Sequence, residues 1–367
     1  MKVDLKKENA PKYITWMILG LCVVVVLILT AAMFGVYNSG HDLTDTDKTA
    51  DINVMITRPD NWERIQTGKI SLTREDFALI DGSTATIPIT AELARQFCNA
   101  SDEKIWEYVD HNTTHDAYEN LILTNGDPDK IQYMEKIDKY RYDSRLTFEQ
   151  KRLLFVTEPS KRELYDAQNE GVTFDITPVA LDGFVFITHK DNPIDSLTVE
   201  QIQKIYSGKI TNWKEVGGND QRIIPYQRNS GSGSQTAMEQ LVMKNVPLME
   251  PVGYSKESLT LGLMSELVKK IAEYENRENS LGYTYYYYIN NLYRNDDIKV
   301  LKINGVSPDN ENLISGEYPF STAYYMVMAK DRNDSQTAKM RELRDYLLTD
   351  EGQEIIKMAG YCPIGRR

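Results

Sequence analysis

Positive charge is what this chain lacks most. Its 367 residues carry 42 Lys and Arg against 54 Asp and Glu, a formal net charge of -12. That balance excludes broad nucleic-acid binding, which needs a basic face. Cysteine is sparse, at Cys22, Cys98 and Cys362, with no paired motif and no zinc spacing. Cys98 and Cys362 could pair in an exported chain, but nothing in the sequence sets their distance, and two unrelated cysteines is the favoured reading. Histidine is scarce as well. His111 and His115 have the i, i+4 spacing of a metal pair. No Glu or Asp completes a known motif with them, so they read as surface histidines, and neither a metal nor a cofactor is expected. No internal repeat is visible at a fixed period. What remains, 41% hydrophobic and 26% charged residues, is ordinary for a globular protein, and the length suggests two domains.

One long apolar run stands at the N-terminus. Residues 1–12 are polar and carry Lys2, Lys6, Lys7 and Lys12; residues 13–37 are strongly apolar, unbroken from Val23 to Leu29. Such a run supplies the roughly 20 residues needed to cross a bilayer as a helix. The lysines before it, with Asp42, Asp45 and Asp47 after it, predict a cytoplasmic tail, a single-pass anchor and an exterior remainder. A cleaved signal peptide, with Thr30-Ala31-Ala32 as its small-residue site, is the rival, and either route exports the rest of the chain. Residues 38–75, polar and rich in Asp, Thr and Asn, read as a stalk.

The most informative stretch runs from Ile223 to Met243. A strand-length apolar segment, Ile223 to Tyr226, is followed by Gln227, Arg228 and the cluster Ser230-Gly-Ser-Gly-Ser234. After it, Ala237, Met238, Leu241 and Val242 fall on one helix face. Strand, glycine turn and helix N-terminus aim free backbone N–H groups and the positive end of the helix dipole at one point. Gly231 and Gly233 let the backbone approach a guest, Ser232 and Ser234 add hydroxyls, and Arg228 offers a fork for two oxygens. This is a small-anion site. The acidic net charge does not forbid it, because aimed dipoles and one arginine act locally and the long-range field is screened within about 8 Å. A flexible Ser-Gly linker is contradicted by the flanking strand and helix signals. A nucleotide P-loop is contradicted by Ser234-Gln235 where Lys and Ser/Thr belong.

Other segments repeat that logic. Phe77 to Ile80 reads as a strand, Gly82-Ser83-Thr84 as a turn and Ile89 to Phe97 as a helix. Asn112-Thr113-Thr114-His115 precedes a helix carrying Ala117, Leu121 and Ile122. Leu153 to Val156 is a buried strand whose end carries Glu158, a carboxylate that faces either a cleft or solvent, and a helix follows from Lys161 to Asn169. Thr173 to Ile187 reads as one long strand leaving a first domain for a second. Thr198-Val-Glu-Gln201 is a capping box opening a helix. Tyr283 to Ile289 reads as a packed strand, Ile298 to Ile303 as another, and Tyr324 to Ala329 as a strand returning to the first domain before the closing helices.

These residues resemble the phosphate-specific solute-binding family of ABC phosphate uptake systems, from about Phe77 to the C-terminus. Arg228-Asn-Ser-Gly-Ser-Gly-Ser234 is similar to the family's phosphate loop. Leu197 to Ile202, Tyr206 to Trp213, Ser315 to Pro319 and Gly360-Tyr361 look like its other landmarks. The resemblance implies a two-lobed α/β fold of the periplasmic-binding-protein type II, with lobe I over 76–178 and 320–367 and lobe II over 179–319. It implies a monomer that binds inorganic phosphate between the lobes and hands it to ABC permease subunits, with no enzymatic step. Carried over residue by residue, the ligands would be Arg228, Ser232, Gly233 and Ser234 from the second lobe, and Ser83, Thr84 and Thr114 or Thr113 from the first. Glu158 would accept a hydrogen bond from the protonated phosphate and so reject sulfate. It stands where better-known members have Asp, and Ser234 replaces Thr, so the pocket could favour another oxyanion or a phosphorylated molecule. A sensing or adhesion protein on the same fold is the alternative function. An exported phosphate-ester hydrolase would need a metal cluster or an activated nucleophile that the scattered histidines do not supply.

Overall fold

The structure, a computed structural model, describes residues 61–65, 68–123, 151–250, 260–261, 264–273 and 277–364. The chain divides into two units, Met1–Ile52 and Asn53–Arg367, and every described residue lies in the second. The expected anchor over 13–37 falls outside them. Among the described residues, no helix is long and apolar enough to cross a membrane.

The first lobe opens with β1 (Ile80–Gly82), α1 (Ile87–Cys98), α2 (Thr114–Leu123), β2 (Leu153–Val156) and α3 (Lys161–Asn169). Strand β2 is fully buried, as its unbroken apolar run predicts. Ser160 and Glu163 form a capping box at the start of α3. Then β3 (Phe174–His189) runs for 16 residues and belongs to both lobes. The second lobe adds α4 (Val199–Tyr206), β4 (Ile224–Pro225), β5 (Gln227–Arg228), α5 (Gly233–Ala237), α6 (Met264–Glu273), β6 (Ser280–Tyr285) and β7 (Ile298–Val300). Strand β8 (Ser321–Ala329) returns to the first lobe, where α7 (Ser335–Leu347), α8 (Asp350–Met358) and β9 (Cys362–Pro363) complete it.

The sheet order is β1-β2-β8-β3-β6-β4, with β9 and β7 also paired to β3. Strands β1 and β2 are parallel, with Gly82 opposite Phe155, so both end at the same edge. The first half of β3 pairs antiparallel with β8, from Ala329 opposite Phe174 to Ser321 opposite Gly183. From Phe184 onward β3 pairs with β6 instead. The change of partner falls between Gly183 and Phe184, so β3 runs through both parts of the sheet and β8 returns from the second part to the first.

Four sequence readings need correction. Phe77 ends a short helix, Arg74–Phe77, capped by Thr73 and Asp76, and the strand begins only at Ile80. Within the expected 38–75 stalk, residues 62–64 are docked on α1. Trp62 donates to Glu92 Oε1 at 2.8 Å, Arg64 to the Gln96 carbonyl, and Gln96 to the Glu63 carbonyl, all on α1. The tyrosine run stays extended only to Tyr285 and then turns helical. The cause lies on β3: the buried Asp182 carboxylate accepts the Tyr287 backbone N–H at 3.0 Å and captures the first turn of that segment. Finally, the residues after α5 form π-type turns over Met238–Met243, so Met238, Val242 and Met243 are the buried face and Leu241 is only half-buried. A wider turn rotates the apolar stripe away from a 3.6-residue period.

Candidate functional site

The first-lobe half of the site is built on the carboxyl ends of β1 and β2. Asp81 is buried and accepts four hydrogen bonds. Its Oδ1 takes the backbone N–H groups of Gly82 (2.6 Å) and Asn112 (3.0 Å), and its Oδ2 takes the amides of Asn112 (2.8 Å) and Asn120 (3.1 Å). This carboxylate holds the loop before α2 against the end of β1. His111 makes the second tie. Its Nδ1 lies 3.0 Å from the Ser83 carbonyl, which can only accept, so Nδ1 carries the hydrogen and Nε2 accepts from Thr90 Oγ1 at 2.8 Å. Burial lowers the His111 pKa, keeping the ring neutral in that role. Gly82 is required here, because a Cβ would fall 2.5 Å from the Phe155 carbonyl and 2.6 Å from His111 Cε1. Beyond it, Ser83 is buried and caps the 3-10 turn Thr84–Thr86 that leads into α1.

The second-lobe half is the serine–glycine loop. Ser232 caps α5, its hydroxyl accepting from Gln235 N–H at 3.3 Å. The Arg228 backbone N–H donates to the Tyr283 hydroxyl (3.0 Å) and to Gln235 Oε1 (3.2 Å), while the Tyr283 hydroxyl itself donates to Gln235 Oε1. Arg228 is 8% exposed. Burial raises the pKa of both Tyr283 and Tyr285, so these hydroxyls remain neutral donors.

The two halves meet. A Cβ on Gly233 would lie 2.4 Å from Thr157 Oγ1 and 3.0 Å from Thr114 Oγ1, both first-lobe hydroxyls. Gln240 reaches the Pro159 carbonyl at 3.3 Å, another bond between the lobes. Tyr285 donates to the Gly233 carbonyl at 3.2 Å. Beside this contact, Ser234 Oγ is buried without a hydrogen-bond partner. Thr157 Oγ1 is buried too, with the Tyr285 hydroxyl near it at the margin of bonding geometry. Orphaned hydroxyls of this kind are costly unless a guest satisfies them.

The sequence-predicted residues divide accordingly. Thr114, Gly233, Ser234, Arg228 and Ser83 are all buried, and of these Thr114 and Gly233 meet at the junction, with Ser234 next along the chain. Ser232 is half-buried, its hydroxyl engaged by the cap. Thr113 is exposed and caps α2, bonding Asp116 Oδ2 at 2.7 Å, so Thr114 is the hydroxyl that faces the second lobe. Thr84 and Glu158 are exposed, although the Glu158 charge is still felt by Tyr285, Tyr325 and Tyr118. Sequence reading missed Thr157. The signal was available: alternation along β2 puts Phe155 and Thr157 on one side, and Phe155 is the partner of Gly82. Asp81 and the supporting role of His111 carried no local signal. His111 and His115 point to different partners, Thr90 and Glu163. Among the described residues no group of three or more His, Cys, Asp or Glu could hold a metal ion. Cys98 and Cys362 are both free thiols.

Comparison with known proteins agrees with this architecture. The family model described as a PBP superfamily domain matches residues 148–351, more than half of the chain. The phosphate-binding protein PstS of Borreliella burgdorferi is 25% identical over 295 residues, covering 79% of this chain and 91% of that protein. The phosphate-binding protein PstS of Bacillus subtilis is 30% identical over 187 residues, 51% of this chain and 56% of that protein. A substrate-binding protein of Clostridium perfringens solved with bound phosphate superposes with a TM-score of 0.55, at 24% identity, over 78% of this chain and 98% of the other; that likeness speaks to the fold. The chain belongs to the PBP superfamily, among relatives that carry the name phosphate-binding protein PstS.

Proposed function

We propose that this protein captures inorganic phosphate between its lobes and delivers it to an ABC permease from outside the cell, tethered by residues 13–37 and acting as a monomer. The observation that carries this reading is the junction itself. Gly233 from one lobe abuts Thr114 and Thr157 from the other, with the Ser234 hydroxyl buried and unsatisfied beside them and Arg228 next to the loop. Hydroxyls, backbone N–H groups and one guanidinium suit a compact oxyanion. Each lobe supplies only half of the donors, so binding favours the closed state and release requires opening. Binding, not catalysis, is what the set supports: the one hydroxyl bonded to a histidine near the site is Thr90, which is 1% exposed within α1, while His115 pairs with Glu163, so among the described residues neither histidine bonds a hydroxyl of the junction that it could activate as a nucleophile.

In this reading Ser83, Thr84, Thr114, Thr157, Arg228, Gly233 and Ser234 contact the ligand, and Ser232 and Thr113 shape the helix starts around it. Glu158, exposed next to Thr157, would turn inward to accept a hydrogen bond from the protonated phosphate. Calorimetric titration of the whole chain with phosphate, sulfate and glycerol 3-phosphate tests the assignment. Phosphate should bind with the highest affinity, and preference for a phosphate ester would refute it. Glu158→Gln should narrow the phosphate-to-sulfate ratio by about tenfold, the worth of one charge-assisted hydrogen bond; an unchanged ratio removes Glu158 from selectivity.

A further inference from the structure

His115 follows Thr114 directly on α2, and the second lobe's glycine loop passes alongside it. A Cβ on Gly231 would stand 3.5 Å from His115 Cβ and 3.8 Å from its Cγ, so the gap between loop and ring base holds about one methyl group. The orientation of the ring is determined by chemistry. Its Nδ1 lies 3.1 Å from Glu163 Oε1, and a carboxylate only accepts, so Nδ1 carries a hydrogen in either charge state. Glu163 cannot readily swing away: it is 3% exposed, and its Oε2 accepts the Ser160 N–H at 2.6 Å in the capping box of α3. With Nδ1 anchored, a proton gained by the ring goes to Nε2, which has no hydrogen bond among the described residues. The side chain is 24% exposed, enough to exchange protons with solvent.

Resting on the phosphate-binding reading, we propose that His115 is a positioning residue at the junction of the lobes. Its protonated ring, anchored by Glu163, places a first-lobe positive charge beside the anion loop and makes capture tighter as pH falls. The charged groups around the ring are Glu119 on its own helix, Glu163, Arg162 and Asp166 on α3, and Glu170 just after it; from the second lobe the uncharged Gly231 stands against it. The hydrogen bond donated to Glu163 outweighs burial and Arg162, so the imidazole holds its proton to a higher pH than an ordinary histidine. The charge is therefore present at the acid end of the physiological range and is lost as pH rises through that raised value.

The test is calorimetric titration of the whole chain with phosphate, across about pH 5.5 to 8.5, in wild type, His115→Gln, His115→Lys and Glu163→Gln. Phosphate's own ionisation is common to all four proteins and cancels in their ratios. His115→Gln should bind about three- to fivefold more weakly than wild type at the acid end, with the ratio approaching one at the alkaline end, as expected for a partly exposed charge pair. His115→Lys should keep the tighter binding through the alkaline end. Glu163→Gln should move the inflection toward acid, a shift that a merely structural role would not produce. Parallel curves for wild type and His115→Gln, whether superimposed or uniformly offset, would overturn the inference while leaving the phosphate reading intact. A wild type that binds no phosphate at any pH would overturn both.

Discussion

Gly233→Ala separates closure from folding. Gly233 is the first residue of α5 and is not among the positive-φ glycines, so its backbone conformation suits alanine. The added methyl would fall 2.4 Å from Thr157 Oγ1 and 3.3 Å from Thr157 Cβ. Ordinary contact begins at 3.4 Å, leaving the closer approach about 1 Å short. Rotating Thr157 about χ1 moves its hydroxyl but leaves Thr157 Cβ at 3.3 Å and Thr114 Oγ1 at 3.0 Å, both inside ordinary contact, so the two sides of the junction are pressed apart. Overpacking of this kind costs about 1–3 kcal/mol, which weakens phosphate binding by roughly five- to a hundredfold. The free protein escapes the clash by opening its hinge, and alanine gains a few tenths of a kcal/mol over glycine in a helix. The melting temperature without ligand should therefore hold or rise slightly, while the shift produced by saturating phosphate shrinks. Calorimetry for Kd and scanning calorimetry with and without phosphate read both quantities. Wild-type affinity in Gly233→Ala would refute the argument that the junction closes on the ligand at this residue.

Two further outcomes follow from the same geometry. Arg228→Ala should weaken phosphate binding by about 2–5 kcal/mol, the usual loss for one partner of a desolvated charge pair; tight binding in that variant removes Arg228 from the site. Asp182, on the crossing strand beside a pocket of about 300 Å³, has its pKa raised by burial to about 7, despite the backbone N–H groups of Gly183 and Tyr287 that favour its charged form. The folded state then holds a proton that the unfolded state has already released, so this group's contribution to stability falls as pH rises from about 4 to about 7. Asp182→Asn keeps an acceptor for both N–H groups and removes the charge. It should be more stable than wild type by on the order of 2–4 kcal/mol at pH 8 and little different at pH 4. Denaturant melts at the two pH values decide it, and equal differences at both would refute the burial argument.

The cost of that carboxylate has a visible return in the fold. Asp182 Oδ1 bonds Gly183 and Tyr287, and Tyr287 in turn stacks on Tyr361 at 3.7 Å and donates to the Ala359 carbonyl at 2.6 Å. These contacts tie the helical turn after β6 to the C-terminal end of the first lobe, across the strands that connect the lobes. The removal of Asp182's charge thus probes the hinge without touching the ligand junction.

The amino-acid sequence by itself determined those features whose cause is local. The capping boxes Ser160–Glu163 and Thr198–Gln201 declare their helices, because the partners are three residues apart. The apolar run Leu153 to Val156 declares a buried strand, and the serine–glycine cluster before Gln235 declares a turn into a helix capped by Ser232, because glycine and hydroxyl chemistry is written in consecutive residues. Only the tertiary structure decided what depends on partners far apart in the chain. Tyr286 and Tyr287 have strand-forming side chains, yet they leave the strand because a carboxylate more than a hundred positions earlier captures the Tyr287 N–H. Thr157, not its charged neighbour, meets Gly233, because β2 lies parallel to β1 and its alternation turns that hydroxyl toward the junction. Asp81 and His111 look like surface polar residues in one dimension. They become the supports of the site only when the loop before α2 folds over the end of β1 and leaves their polar atoms no water to bond.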